Sequence, residues 1–414
     1  MGTTSNEYTA PEWLTREFLL DLLRNHFKNE SLEIKELVVK KATISKNSGF
    51  ASELHRASLI ITKDGKEEKF SLIVKDHPKG QTGAIAKKSK LFHREIVAYK
   101  EIIPRVNELL HSIGDNTKIT PTCFYTTETP EPFLILEDMT TKDFNTTPTG
   151  YILNMDFVLP TVTKLAKFHA ASVILAQNDS SIMDSFREAP ISRNPDRKEF
   201  LGFFPASIRY VAEEVCTWKG YEEIAEKLFA LSQRVLIDAV DMYEQNDDGF
   251  KVLNTADLWV NNLMFHYDEQ KEPDDVVLLD FQLAYFGSPA VDLNYFLFGS
   301  FNENIRKVHY KYVIREYQKV LKDTLEKLNY IGHIPTLKEL SIEIINYSLQ
   351  SVIASICLTP LVFTDSDGGF ENLEELTRRS EEGELMRREN IQNPRYKAYL
   401  QRTLKEFELS GFLD

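Results

Sequence analysis

The chain has 414 residues, 42% of them hydrophobic and 27% charged, which is the make-up of a globular protein with ample core for two or three packing units. Its net charge of −14 and pI near 5.3, with no Lys/Arg-rich stripe to offset them, exclude a nucleic-acid partner and require local cations at any site for an anionic nucleotide. Three cysteines without CxxC spacing, Cys123, Cys216 and Cys357, exclude a zinc or disulfide framework.

In chain order, the first 14 residues lack an apolar signal core, so a cytoplasmic, reducing setting is expected. Residues 12–28 carry Leu14, Phe18, Leu19, Leu22, Leu23 and Phe27 at helical spacing. Three β-type runs come next: "IKELVVKKATI", "ELHRASLIIT" and "EKFSLIVK". Asp64-Gly65 between the last two is a hairpin signal, and the polar loop "SKNSGFAS" joins the first two. Residues 87–112 read as one long helix, followed by the short strands "TPTCFYTTE" and "PFLILEDM". This order, three strands, a helix and two strands, predicts a small antiparallel sheet with one helix packed on it.

Beyond the polar segment "TTKDFNTTPTG" the pattern turns helical. "FVLPTVTKLAKFHAASVILAQ" aligns Val158, Val162, Leu165, His169 and Val173 on one face, and residues 221–245 form a second amphipathic helix. A strand–loop–strand block at 250–282 interrupts the helices, which return at 303–328, 336–357 and 371–406. The apolar stretch "SVIASICLTPLVF" is too short and interrupted to span a bilayer, so no membrane partner is expected. The expected architecture is α+β and bilobal. Residues 1–135 form a sheet-based N-lobe, 136–140 a hinge, and 141–414 a helical C-lobe, with a cleft suited to a small molecule.

Five polar residues stand in an informative order. Asp257 and Asn262 are separated by four residues in "ADLWVNNL", and Asp280 ends the apolar run "VVLLD". Upstream, Lys75 closes the third predicted strand and Glu95 lies on the next helix. Each alone has a plain explanation: turn formers for Asp257 and Asn262, solvated charges for Lys75 and Glu95. Asp280 is different, because a charge at the end of a buried strand is costly without a partner. Together they match the parts list of phosphoryl transfer in the protein-kinase plan: a substrate-orienting Asp, two magnesium ligands, a phosphate-binding Lys and its Glu partner. The loop "KNSGFAS" has a single glycine; Gly49 with Ser48 and Ser52 would supply backbone and hydroxyl donors to phosphate.

With those residues placed, the chain resembles the ecdysteroid kinase-like family, also called CHK kinase-like, over about residues 35–330. The segments that carry the resemblance are "GFASELHR", "LIVK", "FHREIVAYKEIIP", "LILEDM", "LAKFHAAS", "DLWVNNLMF" and "LLDFQLAYFGSPAVDLNYFLF". The resemblance implies the fold of choline and aminoglycoside kinases and ATP-dependent phosphorylation of a hydroxyl on a small acceptor, with ecdysteroids as the named class. It implies Asp257 as catalytic base, Asn262 and Asp280 as Mg²⁺ ligands, and Lys75 on the phosphates with Glu95 as its partner. It further implies the linker Leu136, Glu137 and Met139 against adenine, and Asp292 as a structural anchor for the loop around the site. Thr255-Ala256-Asp257 departs from the family's His-Gly-Asp or His-Ala-Asp. The loss of the imidazole implies a looser Asp280 loop and a cost of roughly 10–100-fold in activity, about 1.4–2.7 kcal/mol. The competing readings are a catalytically weak or inactive ligand binder, motivated by Thr255, and a choline-type acceptor held by aromatic residues.

Overall fold

The computed structural model describes residues 10–42, 52–77, 87, 90–148, 150–197, 201–244, 249–363 and 381–414. Ser48 and Gly49 of the expected phosphate loop lie outside these residues, as does the start of the helix expected at 371–406.

The N-terminal part is an antiparallel five-stranded sheet in the order β1 (Glu33–Lys41), β2 (Glu53–Lys63), β3 (Lys66–Asp76), β5 (Phe133–Glu137), β4 (Cys123–Thr127). Asp64 and Gly65 form the two-residue turn between β2 and β3, both at positive φ (+52° and +76°), the conformation that Asp-Gly admits at least cost. Alternation along β3 sorts its side chains between the two faces of the sheet. Leu72 and Val74 enter a core shared with Leu19, Leu22 and Leu23 of α1 (Arg16–Phe27). Ile73 points to the opposite face, where it packs with Ala42 and Leu54, and the period of two sends Lys75 the same way. One face of the sheet is therefore closed by α1, and the other presents Lys75 to the rest of the molecule.

The expected long helix 87–112 is divided. α2 (Leu91–Val97) passes through a π turn at Ala98–Ile102 into α3 (Ile103–Ser112). Glu95 and Tyr99, four residues apart at the entry to this turn, are both buried, and such turns concentrate at functional sites.

The remainder is mainly helical: α4 (Met155–Asn178), α5 (Phe203–Val215), α6 (Glu222–Glu244), α7 (Ala290–Gly299), α8 (Glu303–Lys327), α9 (Leu337–Asn346), α10 (Ser348–Ile353), α11 (Thr359–Val362), α12 (Glu381–Gln392) and α13 (Pro394–Ser410). α4 is long and apolar enough to cross a membrane, yet 78% of its apolar window is buried inside the protein, so it is a core helix here. It carries Val158, Val162, Leu165 and Val173 of the predicted face into the largest core, which also takes Leu134 and Leu136 from the sheet, and His169 of the same face is fully buried. The expected final helix breaks at Asn393-Pro394, where Asn393 caps the N-terminus of α13 through its side chain and Pro394 takes the first helical position.

Two small sheets interrupt the helices. β7 (Val252–Asn254) pairs with β10 (Tyr285–Gly287), and β8 (Leu263–Tyr267) pairs with β9 (Pro273–Leu278) and with β6 (Phe144–Asn145). The loops β7–β8 and β9–β10 are consequently neighbours, and the Leu279 N–H donates to the Asn262 carbonyl at 2.9 Å. The fold is mixed α+β, with a five-stranded antiparallel sheet followed by a mainly helical region, consistent with a kinase-like bilobal plan.

Candidate active site

The strand end, the helix and the β9–β10 loop converge on one ammonium. Lys75 Nζ lies 2.8 Å from the Glu95 carboxylate and 2.8 Å from Asp280 Oδ2. Lys75 is 6% exposed and Glu95 1%, so both charges have left bulk water. Burial works against a charged Lys75, but the two carboxylates outweigh it and raise its pKa. Burial likewise pushes Glu95 up, Lys75 pulls it back, and Gln282 lies close enough to favour its ionised form. A lysine shared by two carboxylates is far from the solvated strand-end charge that Lys75 would be by default.

Glu95 is held in place by its neighbour. Arg94, buried beside it on α2, donates to the Ala284 carbonyl at 3.4 Å and to Glu188 at 3.3 Å. The helix is thus tied to the same loop that carries Asp280. Asp280 itself sits at φ +60° and accepts the Gln282 N–H through Oδ1 at 3.0 Å. Phe281, fully buried, packs edge-on against Tyr99 and Phe168 at centroid distances of 5.7 Å each and anchors the loop.

The β7–β8 loop brings Asp257 and Asn262 together. Asn262 Nδ2 donates to Asp257 Oδ2 at 2.8 Å and to the Asp257 carbonyl at 3.0 Å, and among the described residues none donates to Asn262 Oδ1. Asp257 Oδ1 accepts the Tyr295 hydroxyl at 2.5 Å. Burial, with the Asp280 charge adding to it, pushes the Asp257 carboxyl up to about 7 against the lowering effect of those hydrogen bonds.

Asp292, fully buried on α7, holds the backbone of this loop. It accepts from Thr255 N at 2.8 Å, Thr255 Oγ1 at 3.2 Å and Ala256 N at 2.8 Å. His169 stands behind it, 3.3 Å from Asp292 and 2.6 Å from the Tyr317 hydroxyl. Ala256 adopts φ +56°, a conformation that costs a non-glycine residue of order 1–2 kcal/mol and persists only where neighbours over-determine it. Thr255 is fully buried, and its described hydrogen bonds run to Asp292 and Asp257 rather than to residues 280–284. The Asp280 loop is anchored through Phe281 and Arg94, independently of the position where the family carries histidine.

The linker between the two parts is braced by acids. Leu136 and Met139 are buried. The Glu137 side chain pairs with Lys118 and Lys142 and accepts the Thr122 N–H at 3.0 Å. Asp138 bonds Arg56 at 2.8 Å and Ser71 at 2.7 Å, and caps the turn at Thr140. Met139 packs with Phe144, Met264 and Val277, while Ala42, Leu54 and Ile73 form a separate apolar cluster on the sheet. Ser52, the one described member of the expected phosphate loop, is buried at the start of β2.

Glu137 makes a pH-dependent contribution. Burial would raise its pKa, but hydrogen bonds from Lys118, Lys142 and Thr122 lower it to about 2 from the usual 4.5. Stability from this carboxylate is complete above about 4.5 and is lost as the pH falls through about 2. We expect Glu137→Gln to cost about 1–2 kcal/mol at pH 7 and to flatten the fall in the urea midpoint between these pH values.

An antiparallel sheet carrying a buried Lys–Glu pair, joined to a helical part that supplies Asp257, Asn262 and Asp280, defines a protein of kinase-like bilobal class. The model of the ecdysteroid kinase-like family matches residues 46–330, more than half of the chain, and the chain belongs to that family. Membership implies a small-molecule kinase, with ATP and Mg²⁺ used by such enzymes generally. Comparison with curated proteins gave no match.

The sequence reading brought Lys75, Glu95, Asp257, Asn262 and Asp280 to one place, and they lie there together. It missed Tyr295, Asp138 and Arg94. The signal for Tyr295 is its position three residues after Asp292, one turn along the same helix face.

Proposed function

We propose that this chain transfers the γ-phosphoryl group of ATP to a hydroxyl of an ecdysteroid or a similar hydroxylated steroid or xenobiotic. The observation that carries the proposal is the Lys75 ammonium bridging Glu95 and Asp280 across the two parts of the molecule. Phosphoryl transfer asks a protein for positioning and charge stabilisation, and each of these side chains has a task of that kind.

In this reading residues 1–135 are the N-lobe, 136–140 the hinge and 141–414 the C-lobe. Adenine enters between the Ala42/Leu54/Ile73 cluster and the Met139/Met264 cluster. It meets the backbone of Leu136–Met139; the Met139 N–H opens a helical turn and has no acceptor within it. Lys75, oriented by Glu95, holds the phosphates, and Ser48, Gly49 and Ser52 of the segment between β1 and β2 are the residues that would add donors. Asn262 Oδ1 and the Asp280 carboxylate are the oxygen donors that would hold Mg²⁺, a hard cation that prefers such ligands. Mg²⁺, when bound there, neutralises charge on the phosphates. Asp257 accepts the hydrogen bond of the acceptor hydroxyl and takes its proton as the new P–O bond forms; ADP leaves. The acidic surface and the supply of ATP fit a cytoplasmic protein with no nucleic-acid or membrane partner.

The test is incubation with Mg·ATP and a panel of ecdysteroids and other hydroxylated small molecules, read by mass spectrometry for a phosphorylated product. A product that depends on both ATP and Mg²⁺ is expected. ATP binding without transfer to any acceptor would make the chain a ligand binder instead. Mg·ATP at about a hundred times its dissociation constant should raise stability by about 2.7 kcal/mol, seen as an upward thermal shift that EDTA reverses.

A further inference from the structure

The Asp257 carboxylate has a donor on each oxygen, and one of them comes from outside the catalytic loop. Asn262 reaches Oδ2 from within the loop. The Tyr295 hydroxyl reaches Oδ1 from α7 at 2.5 Å. Tyr295 is 4% exposed, and burial together with the Asp257 charge raises its phenol pKa well above the usual value, so it stays protonated and donates.

The geometry is economical. Asp292, three residues earlier on the same face of α7, accepts from Thr255 and Ala256 and fixes the backbone that carries Asp257. One turn of one helix therefore sets both the path of the loop and the plane of the carboxylate. The second is needed because the terminal torsion of an aspartate is broad and soft, and a single donor leaves the plane free to swing.

We propose that Tyr295 is a positioning residue for Asp257, holding its carboxylate in the plane that meets the acceptor hydroxyl. This rests on the kinase reading above. It gives Thr255 a context: where the family carries a histidine, the loop here is held from α7 by Asp292 and Tyr295.

The test uses Tyr295→Phe in the full chain, which keeps the ring and its packing and deletes only the hydroxyl. With Mg·ATP and an ecdysteroid as acceptor, kcat should fall roughly 10–100-fold while the KM for ATP stays within about twofold, because a misplaced base slows transfer and leaves nucleotide binding alone. A kcat within about twofold of the parent overturns the proposal. In parallel, urea unfolding of Tyr295→Phe, Asp257→Ala and the double variant, without ligand, should be non-additive if the hydroxyl and the carboxylate are bonded, since alanine leaves the hydroxyl no partner at that position. Additive effects overturn the contact. Should the parent itself transfer nothing, the kinase reading and this role in it both fail, and non-additive unfolding would show that the contact alone stands.

Discussion

Asp257→Asn is expected to lower phosphoryl transfer by roughly 10²–10⁴-fold, about 2.7–5.4 kcal/mol on the barrier, with little change in ATP affinity. The surroundings make this variant clean. The asparagine can keep its oxygen toward the Asn262 amide and turn its NH₂ to the Tyr295 hydroxyl, which can accept as well as donate. The loop, held through its backbone by Asp292, has no reason to move. What is lost is the capacity to take a proton. Steady-state kinetics and calorimetric ATP titration separate the two outcomes: turnover within tenfold of the parent would remove Asp257 from the role of base.

Lys75→Met should be damaging in two ways. It removes the cation proposed to hold the phosphates, for an expected loss of roughly 10²–10³-fold in turnover. It also leaves Glu95 and Asp280 near one another without a countercharge, and breaking a buried pair from one side typically costs about 3–5 kcal/mol. The two effects can be pulled apart. Adding Glu95→Gln to Lys75→Met deletes one of the stranded charges, so the double variant should regain part of the lost urea midpoint and none of the activity. A single variant as stable as the parent would mean that the three charges are not coupled as their distances indicate.

The legible part of this site was the part written in local pattern. "SLIVK" alternates so that Lys75 shares a face with Ile73, away from Leu72 and Val74, and the strand places it there. Asp280 ends an apolar strand, and a charge in that position needs a partner; Lys75 is that partner. The hairpin at Asp64-Gly65 follows from the two positive φ angles its turn requires. Less was legible where spacing in sequence says nothing about meeting in space. Tyr295 lies in "VDLNYFLFG", an apolar run that reads as core all round, and its hydroxyl on Asp257 depends on how α7 docks. The linker Leu136–Met139 was expected to face adenine with Glu137 central; that the Glu137 carboxylate pairs with Lys118 and Lys142, one before and one after it in the chain, was not legible in the spacing. The π turn at Ala98–Ile102 left no mark in periodicity, because one wide turn shifts the phase by less than a helical face. The break at Asn393-Pro394 did carry a start signal, a capping Asn followed by Pro, inside a segment read as one continuous helix.

In the proposed function, side chains from the sheet and from the helical part close around one nucleotide and its metal. Titration calorimetry of ATP, with Mg²⁺ and then with EDTA, on the parent chain and on Asp280→Asn measures this most directly. Binding that is strong with Mg²⁺, much weaker in EDTA, and insensitive to Mg²⁺ in Asp280→Asn is the predicted result. ATP that binds the parent equally with and without the metal, or does not bind at all, would contradict it.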